Sequence, residues 1–388
     1  MLSFYFYNPT RIFFGKNRLE VIDKNVPANA KVLITFGGGS AKRSGLIDKV
    51  KTVLGNRKVY EFGGIEPNPH YETLMKAVEV VHKEQIDFML AIGGGSVIDG
   101  TKFISLASHY KGDARDLLKF GFMPIPFDVV SKVVPFGVVL TLPATGSEMN
   151  NGAVISYEHG KFPVMCELAF PKFSILDPTI TFTLPKIQVA NGIVDAFVHT
   201  TEQYTTFPVD AKVQDRIAEG ILQTLIEIGK TTVAEPENYD ARANLVWSAT
   251  MALNGIIGTG VPQDWTTHMI GHELTALFGI DHGQTLAIVY PAVLEIRRTQ
   301  KRAKLLQYAE RVWLIANGSE EEKITLAINK TREFFESLGI KTRLSQYGVT
   351  ADRIPAVVEQ LKVHGMTALS ETQDITLDIS RKILENAL

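Results

Sequence analysis

An α/β unit built on a parallel sheet, followed by an all-helical unit, is the architecture this sequence predicts. Three observations carry it. Short β-branched or apolar runs alternate with helical stretches through about residue 180, glycine clusters close two of those runs, and beyond Leu184 only long helical patterns remain. At 388 residues, 45% hydrophobic and 21% charged, the chain is long enough for two domains with substantial cores. LDPTITFTLP supplies loop chemistry and then a helix start, which places the boundary near 182 and gives domains 1–182 and 183–388.

The elements follow in order. MLSFYFYNPTRIFFG alternates aromatic and polar residues, is broken by Pro9 and Arg11, and reads as edge strands; a signal peptide needs a basic start and an uninterrupted apolar run. KVLITF (31–36) is a strand ending in glycines, SGLIDKVKTVLG a helix, KVYEF (58–62) a strand and YETLMKAVEVVHKEQ a helix. FMLAI (88–92) leads through a second glycine cluster into a helix that runs to Ser108, and VVLTL (138–142) is the last clear strand. In the second half, glycine or proline breaks fall near 207–208, 258–262 and 279–283.

Composition excludes several partners. A net charge of −2 gives no footprint for nucleic acid or for an anionic membrane surface. No window approaches the ~20 apolar residues of a membrane span. Cys166 is the one cysteine, so no intrachain disulfide can form and a cytoplasmic address is the expectation.

Four residues read as one metal pocket. Asp195 and His199 in DAFVH stand four apart, so on a helix their Cβ atoms lie about 5–6 Å from each other on one face. Leu184–Tyr204 has that helical character, with Pro185 suited to the first turn and apolar residues over most of its circumference. Asp195, His199 and Glu202 form a polar stripe inside that wrapping. A second helix carries His268 and His272 at the same interval, ends near Gly279, and is followed by His282. One carboxylate and three imidazoles, with no thiolate, suit Zn²⁺ or Fe²⁺ in a catalytic site and leave the ion's identity open. A lone Asp-x-x-x-His on a buried helix is usually a satisfied side-chain pair. Four of the nine histidines falling between residues 199 and 282 tilts the reading toward metal, and the cleft between the domains is the expected place.

Two glycine clusters follow strands. AIGGGSVIDGTKF (91–103) lets backbone amides approach an anion at a helix N-terminus, and a pyrophosphate fits there; the competing reading is a tight βα turn with Ser96 as N-cap and Asp99 completing a capping box. FGGGSAKRSG (36–45) has Gly37, Gly38, Gly39 and Ser40 followed by Lys42 and Arg43, with no carboxylate to read a ribose 2′-hydroxyl. That favours NADPH over NADH unless the segment is merely a solvated basic turn. TLPATGSEMNNGAV (141–154) is a loop of small hydroxyl residues that would suit the flat face of a nicotinamide ring.

Together, GGGS with Asp99, FGGIEPNP (62–69), TLPATGSE (141–148), the Asp195/His199 pair and the His268/His272/His282 set resemble the iron-containing, or metal-dependent group III, alcohol dehydrogenases. The resemblance spans nearly the whole chain and looks closest to the subgroup of NADPH-dependent butanol dehydrogenases and broad-specificity aldehyde reductases. It implies a Rossmann-like N-terminal domain before an all-helical one, a dehydroquinate synthase-like architecture. It further implies a metal, Zn or Fe, on Asp195, His199, His268 and His282, and cofactor contacts at Gly38, Gly39, Ser40, Asn68, Gly94, Gly95, Ser96, Asp99, Thr141, Leu142, Thr145, Asn150, Lys161 and His282. Members that prefer NAD usually carry Asp where this chain has Gly38, which agrees with the charge argument for NADP(H). By itself Lys161, in HGKFP, is an ordinary lysine, and Asn68, between two prolines, shapes a turn.

The implied reaction is reversible reduction of a small aldehyde to a primary alcohol, with the proton delivered by metal-bound solvent, a ribose hydroxyl or His272. A glycerol dehydrogenase-like polyol oxidoreductase or a dehydroquinate synthase relative is the rival among enzymes. A site that reads a substrate phosphate should show clustered Lys and Arg, and the stretches 184–204 and 262–290 hold only Lys186. A non-catalytic nucleotide or metal sensor is the rival outside enzymes. The aromatic N-terminus suggests a homodimer through an exposed strand edge. Trp265, beside the metal helix, is a candidate pocket wall, although tryptophan at such a place is more often core.

Overall fold

A computed structural model describes residues 1–388, which divide into two compact units, Tyr7–Thr183 and Leu184–Leu388 with Met1–Phe6. The first six residues thus group with the helical unit rather than with domain 1–182, because Leu2 N–H donates to Gly260 O at 2.9 Å.

In the first unit the strands are β1 (Arg11–Phe14), β2 (Lys31–Phe36), β3 (Lys58–Phe62), β4 (Phe88–Gly93), β5 (Gly121–Pro124), β6 (Phe136–Leu140), β7 (Gly152–Tyr157), β8 (Gly160–Met165) and β9 (Phe173–Leu176). The helices are α1 (Val21–Asn25), α2 (Ser40–Arg43), α3 (Leu46–Leu54), α4 (Tyr71–Glu84) and α5 (Gly95–Ala107). Six strands make one parallel sheet in the order β1-β9-β6-β4-β2-β3, the arrangement that strand–helix alternation demands. Its inner strands are buried apart from Lys31 at the start of β2, and β4 has all six positions covered.

The structure departs from the sequence expectation at five points. Residues 1–10 form no strand; only β1 lies at the sheet edge, paired with β9. The strand expected at 138–142 begins at Phe136 and ends at Leu140. The strand at 138–142 is not the last of the main sheet, since β9, only four residues long, pairs between β1 and β6. The small sheet β5-β8-β7 likewise carries no clear sequence pattern, because its strands are short and carry Gly and Pro. Ser96 does not cap α5: the N-cap is Gly94, and Ser96 Oγ instead accepts Asn68 N–H at 3.2 Å.

The second unit contains α6 (Lys186–Tyr204), α7 (Lys212–Ala234), α8 (Tyr239–Ala252), α9 (Thr266–Phe278), α10 (His282–Ile296), α11 (Arg302–Arg311), α12 (Glu320–Ser337), α13 (Ile354–Val363) and α14 (Leu377–Asn386). A two-residue ladder joins Ala368–Leu369 to Ile375–Thr376, too short to register as a strand pattern in the sequence. Helix α6 is central, with every residue from Val189 to Tyr204 buried. Phe197, fully buried, contributes on the order of 1.5–3 kcal/mol through burial against Phe334, Phe335 and Trp313. Some of the polar residues on this buried helix are satisfied within it: Thr200 Oγ1 donates to Ala196 O at 2.8 Å and Gln203 Nε2 to His199 O at 2.7 Å. Gly279, left-handed at φ 67°, ends α9 where the sequence placed the stop.

Candidate metal centre and nucleotide turns

Three helices bring the metal candidates together. Asp195 and His199 sit on one face of α6, His268 on α9, and His282 is the first residue of α10. The approach of α10 to α6 depends on Gly283, where an added Cβ would stand 2.7 Å from Asn191 O and 2.8 Å from its Cα. Asn191, one turn before Asp195, donates from Nδ2 to Asp281 Oδ2 at 3.0 Å, which fixes the residue before His282. Gly271 does the same between α9 and α10, since a Cβ there would meet Thr285 Oγ1 at 2.8 Å.

Donor atoms of Asp195, His268 and His282 lie within 4.8 Å of one another. Asp195 Oδ1 stands 3.6 Å from His268 Nε2, 3.6 Å from His282 Nε2 and 3.5 Å from His199 Nδ1. These separations exceed a hydrogen bond. Both Asp195 Oδ1 and His268 Nε2 are buried without a hydrogen-bond partner, which is the signature of donors arranged around an ion. His199 joins through Asp195 and through its ring, stacked on His268 with centroids 4.5 Å apart. The donor set and its orphaned atoms fit a divalent cation.

Glu202, part of the polar stripe but not foreseen in the site, orients this cluster. Its Oε2 accepts from His268 Nδ1 and its Oε1 from Thr267 N–H at 2.6 Å, so His268 presents Nε2 to Asp195. The signal was present in the sequence as the i+3 neighbour of His199 on a buried helix. Burial alone would lower the His268 pKa, but the Glu202 carboxylate and Asp195 outweigh it and hold the imidazole at about 9; burial pushes Glu202 upward. His272 lies beside the cluster, its ring centroid 5.3 Å from His282 and 6.3 Å from His268. Trp265 packs edge-on to His268, centroids 5.5 Å apart, and also against the apolar cluster that includes Met269, so it is part of the core and borders the site.

In the sheet unit the turn after β4 is closed by the loop after β6. A Cβ on Gly94 would stand 2.9 Å from Leu142 Cβ, and one on Gly95 2.5 Å from Thr145 Cγ2, so the two clusters pack as a single surface that only glycine permits. Thr141 N–H donates to Gly93 O at 3.0 Å. Lys161 Nζ donates to Asn68 Oδ1 at 2.6 Å, and Asn68, left-handed at φ 56°, reaches Ser96 through its N–H, so these three form one chain of hydrogen bonds.

Asp99 and Asn150 are engaged within the protein. Asp99 accepts from Ser147 Oγ at 2.6 Å and Val154 N–H at 2.9 Å; Asn150 Oδ1 accepts from Lys102 Nζ at 2.8 Å. Lys102, missed in the sequence, is wholly buried and also donates to Ser147 Oγ and Gly152 O. Burial lowers its pKa to about 8, against the pull of Asp99 and Glu148. The turn after β2 holds a carboxylate the sequence reading did not place there: Glu61 on β3 pairs with Lys42 at 3.1 Å and with Lys51. Arg43 Nη1 folds back to Gly38 O at 3.3 Å, Gly39 takes φ 94° ahead of Ser40, and the space over Gly38 is open.

A parallel-sheet unit with glycine turns at its strand ends, followed by a helical unit presenting one carboxylate and three imidazoles, defines the class of metal-dependent nicotinamide oxidoreductases. The iron-containing alcohol dehydrogenase model matches residues 9–178, and the C-terminal model of the Fe-containing alcohol dehydrogenase family matches residues 189–388. The NADPH-dependent aldehyde reductase YqhD of Escherichia coli (strain K12) is 56% identical, covering 100% of both chains. The NADH-dependent butanol dehydrogenase A of Clostridium acetobutylicum is 41% identical, over 93% of each. The crystal structure of E. coli K-12 YqhD superposes with a TM-score of 0.97 at 56% identity, over 100% of this chain and 99% of that one. The chain belongs to the iron-containing alcohol dehydrogenase family. No helix is long and apolar enough to cross a membrane.

Proposed function

We propose that this protein reduces small aldehydes to primary alcohols with NADPH, in the balance RCHO + NADPH + H⁺ → RCH₂OH + NADP⁺. The observation that carries the reading is the pair of buried, unpartnered donors, Asp195 Oδ1 and His268 Nε2, set 3.6 Å apart among the other two imidazoles. Asp195, His199, His268 and His282 would hold the ion. A divalent cation there supplies a Lewis acid that polarises a carbonyl oxygen and stabilises the charge developing on it as hydride arrives. Iron fits the family, and zinc is the alternative for the same nitrogen and oxygen donors.

The chain's own residues position and supply a proton. Glu202 fixes the His268 tautomer through Nδ1. His272, half-buried and outside the ligand group, is the nearest imidazole able to hold a proton for the product oxygen. In the sheet unit, Gly38, Gly39 and Ser40 would receive the adenosine end of the cofactor, Gly94, Gly95, Ser96, Asn68 and Lys161 the pyrophosphate, and Thr141, Leu142 and Thr145 the nicotinamide. His282 is assigned both to the metal and to the cofactor's reactive end. Asp99 and Asn150 would act by shaping the loops. Preference for NADPH rests on Gly38, on Arg43 and on two lysines sharing the one acid, Glu61. Butanol dehydrogenase and YqhD relatives support an aldehyde or alcohol substrate, and a rival that reads a substrate phosphate finds in the helical unit's site stretches only the exposed Lys186. We place the protein in the cytoplasm, on its single buried Cys166, and expect a homodimer.

Purified, metal-loaded protein mixed with NADPH and butanal should consume the reduced cofactor, followed by absorbance. Loaded protein that binds NADPH yet leaves every small aldehyde unreduced refutes the proposal and favours a sensor.

A further inference from the structure

The helix that carries Asp195 and His199 and the helix that carries His268 are joined by a buried charge outside the ligand set. Lys301, at the start of α11, sends Nζ to Thr205 O at 2.8 Å, to Asp264 Oδ2 at 2.8 Å and to Glu371 Oε1 at 3.2 Å. The three side chains are 4%, 3% and 6% exposed, so this is an interior ion group with all three ammonium donors used. Thr205 is the C-cap of α6, where a cation meets the negative end of the helix. Asp264 lies two residues before α9. Its N–H donates to Glu202 O at 2.8 Å and its Oδ1 accepts Thr266 N–H at 2.9 Å. The next residues, Thr267 and His268, are those that the Glu202 carboxylate grips.

We propose that Lys301 is a positioning residue of the metal centre, acting through Asp264 and the end of α6 to fix the angle at which His268 meets Asp195. The inference rests on the metal reading above. Lys301 touches neither ligand nor reacting atoms. Its effect passes through two hydrogen bonds, Asp264 N–H to Glu202 O and Thr266 N–H to Asp264 Oδ1, so loss of the ammonium frees the first turn of α9 to shift against α6. A shift there misaligns His268 without removing any donor, which weakens retention of the ion rather than abolishing the site.

The test follows release of Zn²⁺ from protein loaded with one equivalent to a chromophoric chelator, well below the melting temperature. Lys301→Met and Asp264→Asn should each release zinc several-fold faster than wild type, up to about tenfold, the low end of the range for groups bonded directly to a ligand. Glu371→Gln, which keeps the Lys301–Asp264 pair, should release at the wild-type rate. Ile324→Ala, a cavity in the same unit near the start of α12, serves as the control for lowered stability and should also release normally. Where Lys301→Met lacks a cooperative melt, Asp264→Asn decides alone, because it is isosteric and keeps the bond to Thr266. A folded Asp264→Asn protein that releases zinc at the wild-type rate overturns this inference while leaving the metal reading intact. Equal acceleration in Ile324→Ala overturns it as well, by reducing Lys301 to a purely structural role. Wild-type protein that takes up no zinc and no ferrous iron overturns both.

Discussion

Gly283→Ala tests the packing that assembles the metal centre. The new Cβ would stand 2.7 Å from Asn191 O and 2.8 Å from Asn191 Cα, where ordinary contact begins at 3.4 Å. Both opposing atoms belong to the backbone of a buried helix, so neither can rotate aside. Helix α10 must therefore retreat from α6 by about 0.6–0.7 Å, the difference between those distances. His282, adjacent to position 283, moves with it, while metal–ligand distances tolerate only about ±0.2 Å. Overpacking of this kind costs about 1–3 kcal/mol, and at roughly 2–4 °C per kcal/mol for a unit of this size the melting temperature should fall by roughly 2–12 °C. Metal affinity should fall at least tenfold, about 1.4 kcal/mol. Gly220→Ala, in open space on α7, is the control and should leave both quantities at or above wild type. Calorimetry and metal titration on the same samples measure the two effects. A Gly283→Ala protein with wild-type melting and wild-type metal affinity would refute the claim that this contact sets the geometry of the site.

Three further outcomes follow from the same geometry. His268→Ala should lose metal and activity together, whereas His272→Ala should keep its metal and turn over more slowly; equal metal loss in both would show that His272 is a ligand. Gly38→Asp should shift preference toward NADH at unchanged stability, since nothing lies within 4 Å of a Cβ there; an unaltered ratio of kcat/KM for the two cofactors would remove the charge argument. The folded-state pKa of Lys102, about 8, lies below the 10.5 of a free lysine, so its charged form costs stability below pH 8 and that cost is relieved as pH rises toward 10.5. Urea unfolding of wild type should therefore gain on Lys102→Met by up to about 3 kcal/mol across that window, and a constant difference would mean the ammonium is fully compensated.

The sequence by itself determined strands β2, β3, β4 and β6, the helices α4, α5, α6 and α9, and the candidate donors Asp195, His199, His268 and His282. Each of those signals is local: period, punctuation by glycine, or two side chains one turn apart, as with Asp195 and His199. Only tertiary structure decided which other charges serve the site. Glu202 reaches His268, Lys301 reaches Asp264, and Lys102 reaches the loop after β6 across separations of 66, 37 and 45 residues. Nothing in the spacing of such residues distinguishes them from solvated charges. The short strands of β5, β7 and β8 escaped notice for a related reason: their pairing draws on cross-strand partners rather than on a strong pattern of their own. Glycines 94, 95 and 283 carried the trace of these contacts in the sequence, but which atoms press against them, Leu142, Thr145 and Asn191, is set by how helices and loops close on one another. A missing Cβ marks that something comes near, and only the folded chain says what.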